Sequence, residues 1–90
     1  MESFYVEFSH RAEKEYSKLD AKLKEKVTEA ISALRQYPAP AKEFDVEKLS
    51  GSDTEYRIRI QTHRIKYLVD WPNKKVTIFG IERKKDRTYK

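Results

Sequence analysis

An α+β domain is the expectation this sequence raises: an N-terminal strand, a helical hairpin, then an antiparallel three-stranded meander. Three observations raise it. Apolar residues alternate at period two near the N-terminus, recur at helical spacing through residues 10–36, and return to period two from Tyr56 onward.

Phe4, Val6 and Phe8 alternate with Tyr5 and Glu7, a short strand with two unlike faces. Ser9 follows as a candidate helix N-cap, because its hydroxyl can accept from a free amide of the first turn. Ala12, Tyr16 and Leu19 then fall at helical spacing, and Asp20 is a second candidate cap. Beyond it Leu23, Val27, Ala30, Ile31 and Leu34 form one apolar stripe, with Lys22, Lys24, Glu25, Lys26 and Glu29 around the rest. The pattern predicts helices over residues 10–19 and 21–36, broken at Asp20, with one unbroken helix as the alternative. Pro38 and Pro40 end the helical part, since neither offers an amide proton and each pushes its predecessor toward extended backbone. Residues 41–53 read as a connector anchored by Phe44, Val46 and Leu49 and turning at Ser50-Gly51-Ser52, with room for a short extra strand.

Three strands should follow. Tyr56, Ile58 and Ile60 alternate with Arg57, Arg59 and Gln61. Ile65, Tyr67, Val69 and Trp71 alternate with Arg64, Lys66, Leu68 and Asp70. Val76, Thr77, Ile78, Phe79 and Ile81 form a nearly continuous apolar run, which predicts a strand covered on both faces. Gln61-Thr62-His63 and Pro72-Asn73-Lys74 are the turns between them. Residues 1–90 make one domain, with no repeat, linker or low-complexity stretch.

Charged residues (39%) slightly outnumber hydrophobic ones (38%), yet the periodic placement of the apolar residues sets this chain apart from a disordered one. The absence of cysteine excludes a disulfide frame, thiol chemistry and Cys-based zinc sites. His10 and His63 are isolated, and Asp70 and Glu82 suit surface partners of nearby cations, so no metal site is expected. No phosphate loop, dinucleotide fingerprint or Ser-His-Asp ordering is present, and no cofactor is expected. MESFYVEF lacks a basic, then apolar, leader, and no run approaches a membrane span, so a soluble cytoplasmic protein is expected.

Charge is distributed unevenly. Residues 1–56 hold 9 Lys/Arg against 12 Asp/Glu, a net of −3; residues 57–90 hold 11 against 3, a net of +8. Such asymmetry suits nucleic acid, and equally a solvated basic face. Period two puts Arg57 and Arg59 on one face of their strand, and Arg64 lies just across a short turn. Arg83, Lys84, Lys85 and Arg87 leave the last strand and converge with them if that strand is adjacent. Guanidinium groups bind phosphate oxygens bidentately and remain charged at physiological pH. A cluster of them orients an RNA backbone and offsets the charge that builds on phosphorus during in-line displacement.

The ordered set "FSHRAEKEYSKLD", "FDVEKLSG", "YRIRI", "HRIKYLVDW" and "ERKKDRTYK" resembles the RelE/ParE superfamily of toxin–antitoxin toxins, archaeal RelE above all. The resemblance spans nearly the whole chain and implies the RelE-like microbial RNase-type fold. It implies a ribosome-dependent endoribonuclease that cuts mRNA in the ribosomal A site, without metal, leaving a 2′,3′-cyclic phosphate. It implies Arg57 and Arg59 as holders of the RNA backbone, joined by Lys84, Lys85 and Arg87. It assigns Arg64 to transition-state stabilisation, Arg83 to an acid or charge-stabilising role, and Tyr89 to the general base. The implied partners are the ribosome, mRNA and a RelB-like antitoxin. The turn before Arg64 departs from the family, since many relatives carry glycine there. ParE-like gyrase inhibitors, which generally lack the arginine and tyrosine set that Arg83 and Tyr89 match, and inactive partner-binding modules share this fold.

Overall fold

The computed structural model describes residues 3–39, 44–49, 51 and 53–83. Strand β1 (Tyr5–Phe8) leads into helices α1 (His10–Ser17) and α2 (Ala21–Gln36). Strands β2 (Asp45–Lys48), β3 (Glu55–Ile60), β4 (His63–Asp70) and β5 (Lys75–Arg83) follow. The hairpin is therefore two helices, and the connector does carry a short strand.

Local chemistry accounts for the helix boundaries. The Ser9 hydroxyl accepts from the Ala12 amide at 3.1 Å, and the Asp20 carboxylate accepts from the Leu23 amide at 2.8 Å. Each satisfies an amide that the helix leaves free. α2 ends where Tyr37 turns extended ahead of Pro38.

The strands form one sheet in the order β1-β5-β4-β3-β2. β2 through β5 pair antiparallel, while β1 lies parallel to β5, from Tyr5 opposite Lys75 to Phe8 opposite Ile78. One face packs on the helices. Leu23, Val27, Ala30 and Leu34 of α2 share a core with Ile58, Ile65, Tyr67, Val69, Val76 and Ile78. The other face carries the polar alternates.

The apolar run in β5 has a different cause from the one expected. Lys66 lies opposite Gly80 but Tyr67 opposite Ile78, so Phe79 is an extra residue. This β-bulge reverses the phase of the strand. It returns Ile81 to the core beside Ile65 and sends Glu82 to the polar face beside Arg64. Continuous hydrophobicity here marks a phase shift within a one-sided strand.

Candidate nucleic-acid interface

Period two and the register place four cations side by side on the face away from the helices. Arg57 stands opposite Lys66, and Arg59 opposite Arg64. Like charges directly opposite destabilise a sheet. Carboxylates on the flanking strands offset this. Asp45 lies opposite Arg59 and Glu47 opposite Arg57 in β2, while Glu82 lies opposite Arg64 in β5. One row thus reads Asp45, Arg59, Arg64, Glu82, and the next reads Glu47, Arg57, Lys66, Gly80.

The pairing within these rows is uneven. Arg57 Nη2 donates to Glu47 Oε1 at 2.6 Å, and Arg59 Nε lies 3.7 Å from Asp45 Oδ2. Glu82 reaches past its register neighbour to Lys66 Nζ at 3.3 Å and also meets Arg11 Nη2 at 3.9 Å. Arg64 is left over: its Nε is buried and has no hydrogen-bond partner among the described residues. Glu47 reports the convergence of the arginines. Its carboxyl is held below its usual pKa first by the Arg57 hydrogen bond, then by the Arg57 charge, with Arg59 and Arg64 adding to the effect.

Arg83 sits elsewhere. The bulge puts it opposite His63, on the helix-side face at the end of the sheet, rather than on the face of Arg57, Arg59 and Arg64. Burial, and then the Arg83 charge, lower the His63 pKa, while Asp20 pulls it back. Lys84, Lys85, Arg87 and Tyr89 lie outside the described residues. Lys66 joins this face although it is not among the residues expected to bind RNA; the alternation from Arg64 to Lys66 signals it. The paired carboxylates Asp45 and Glu47 have no signal in the sequence, since only the register of β2 aligns them with Arg59 and Arg57.

A second network fixes the end of β5. β1 stops at Phe8, and beyond it Glu15 of α1 takes over the edge, its Oε1 accepting the Ile81 amide at 2.7 Å. Arg11 Nε donates to Glu15 Oε2 at 3.2 Å. The helix is thus linked through Arg11 to Glu82 and the basic face.

The other sequence candidates have structural partners. Asp70 holds the β4–β5 turn, accepting from the Asn73 amide and side chain, which lowers its pKa. Trp71 packs against Phe4, Tyr37 and Tyr56. Among the described residues no group of three His, Cys, Asp or Glu is placed to hold a metal ion, and no helix is long and apolar enough to cross a membrane.

Residues 6–87 match the family of ParE toxins of type II toxin–antitoxin systems, parDE. The chain is 36% identical over 81 residues to the RelE1 protein of Methanocaldococcus jannaschii, covering 90% of each. Its fold superposes on a chain of the archaeal RelE–RelB complex from Pyrococcus horikoshii with a TM-score of 0.86 at 25% identity, covering 94% of this chain and 99% of that one. The isolated RelE toxin of E. coli matches with a TM-score of 0.82 at 21% identity, covering 94% and 88%.

Proposed function

The chain belongs to the RelE/ParE toxin family of type II toxin–antitoxin systems, and from that membership we propose a ribosome-dependent mRNA endoribonuclease that cuts in the ribosomal A site and inhibits translation. One observation carries the reading. Two like-charged cross-strand pairs, Arg57 with Lys66 and Arg59 with Arg64, crowd one face, and the buried Arg64 Nε has no hydrogen-bond partner among the described residues. Opposed cations cost stability, which an anionic ligand repays.

In the proposed reaction the ribose 2′-hydroxyl loses its proton to a base and its oxygen attacks the adjacent phosphorus. The bond to the 5′-oxygen breaks, that oxygen takes up a proton, and a 2′,3′-cyclic phosphate remains. No metal enters the scheme. Arg57 and Arg59 hold the backbone, with Lys84, Lys85 and Arg87 extending the contact. Arg64 offsets the charge gathering on the phosphoryl oxygens. Arg83, at the end of the sheet on its helix-side face, is assigned the acid or charge-stabilising role by reaching round that end to the phosphate, and Tyr89 the role of base. A tyrosine hydroxyl ordinarily titrates at roughly 10, and neighbouring cations favour its phenolate. The archaeal relative was solved as a RelE–RelB complex, and a RelB-like antitoxin is the partner proposed here, silencing the toxin by covering the arginine face or displacing the segment that carries Tyr89.

The test is mRNA cleavage in a translating extract, with the products mapped to the A-site codon and their ends analysed. Cleavage that needs ribosomes and leaves cyclic phosphate ends is the expected result. The family that matches is named for ParE, so gyrase supercoiling is the counter-assay. Inhibited supercoiling without RNA cleavage overturns the nuclease reading.

A further inference from the structure

We propose that Asp45 and Glu47 of β2 are intramolecular substitutes for RNA phosphates, occupying Arg59 and Arg57 in the free protein and yielding to a polyanion that exchanges both pairs together. The inference rests on the nuclease reading and adds control of the same face.

The geometry of β2 carries it. Its two carboxylates stand in register with the two arginines assigned to the RNA backbone, one carboxylate to each. Glu47 meets Arg57 at 2.6 Å and Asp45 meets Arg59 at 3.7 Å, and both carboxylates are well exposed. A phosphate arriving from solvent therefore competes with them directly. β2 is also the sheet edge, four residues long, with no buried residue, so its carboxylates are loosely held. Exposed ion pairs of this kind contribute little to stability. A lone anion that replaces one gains little, because one ion pair is lost for each one made. Arg64 differs: Glu82 opposite it turns to Lys66, so a phosphate that meets the Arg64 guanidinium displaces no carboxylate. A chain of phosphates anchored at Arg64 then displaces Glu47 and Asp45 from the neighbouring strand. The face selects for a polyanion, and the carboxylates set its threshold.

The arrangement links stability and affinity with opposite signs. Neutral β2 side chains leave the opposed cations without counter-charge, lowering Tm, yet free the arginines for RNA. The experiment measures binding of a short fluorescent single-stranded RNA to Asp45→Asn, Glu47→Gln and the double variant, with thermal melting in parallel. Glu29→Gln, at an exposed position of α2, controls for one lost negative charge. Each β2 variant should tighten binding about two- to fivefold, more than Glu29→Gln does, while lowering Tm. The effect of Glu47→Gln should vanish in an Arg57→Gln background. Binding no tighter than that of Glu29→Gln, or weaker than wild type, overturns the proposal, as does an absence of RNA binding in every variant. Tightened binding in a protein that cuts no mRNA during translation leaves the proposal standing and removes the nuclease reading.

Discussion

Arg64 is where the sheet sacrifices stability. It faces Arg59 across the β3–β4 ladder, its Nε is buried without a hydrogen-bond partner among the described residues, and Glu82 opposite it turns to Lys66 instead. Removing an opposed charge and an unpaired donor should not harm folding. Arg64→Ala should therefore lose about 10²–10³-fold in cleavage rate with Tm unchanged or raised, measured by single-turnover cleavage on ribosomes and by melting. A drop in Tm with cleavage intact reverses the assignment. On the proposed reading Arg57 binds the backbone without proton transfer. Arg57→Lys should keep much of the activity, whereas Arg57→Glu should abolish it and weaken ribosome binding. Binding of the wild type should weaken steeply as salt rises, as counterion displacement requires. Co-sedimentation at several salt concentrations checks this.

Between elements, side chains complete what backbone ladders leave open. β5 loses its parallel partner after Phe8, and Glu15 of α1 replaces it at the Ile81 amide. Glu15→Ala leaves that amide unpaired, at a cost of about 1–3 kcal/mol. Ile81 should then exchange its amide proton faster, while Glu15→Gln, whose side-chain oxygen still accepts, should restore protection. Unchanged exchange in the alanine variant contradicts the role. Tyr67 ties the centre of the sheet to the exit of α2, its hydroxyl donating to the Pro38 carbonyl at 2.6 Å. Burial, then Tyr56, pushes its pKa far above the ordinary range, so it remains a donor at any working pH. Tyr67→Phe keeps the ring but orphans the carbonyl, and should cost about 1–3 kcal/mol in denaturant unfolding. A neutral substitution would mean that water reaches Pro38.

For the whole molecule, His63 gives stability a pH dependence. Its pKa is lowered in the folded protein by burial and by Arg83, so the unfolded chain binds more protons near the ordinary value of about 6.5. Stability is complete above that value and falls as pH drops through the lower folded pKa. His63→Gln should flatten this part of the profile, as read from urea midpoints between neutral and mildly acidic pH. An unchanged slope would assign the dependence to carboxylates instead.

Features that rest on local periodicity were legible without coordinates. Ser9 and Asp20 announced the two helices because a cap needs only an oxygen three residues ahead of a free amide. Alternation alone put Ile58 in the core and Arg57 and Arg59 on the opposite face. The basic face was therefore visible in part. Its flanks were not, since whether Asp45 meets Arg59 depends on a register that a one-residue slip would turn to the other face. The parallel pairing of β1 with β5 joins residues far apart in the chain, and no local pattern encodes it. The bulge at Phe79 was hidden for a similar reason: an apolar run looks the same whether it is buried twice or shifted in phase. That shift sends Glu82 to the basic face and Arg83 to His63. Side-chain type and spacing thus settled which residues have a polar face, while long-range strand pairing settled which of those faces meet.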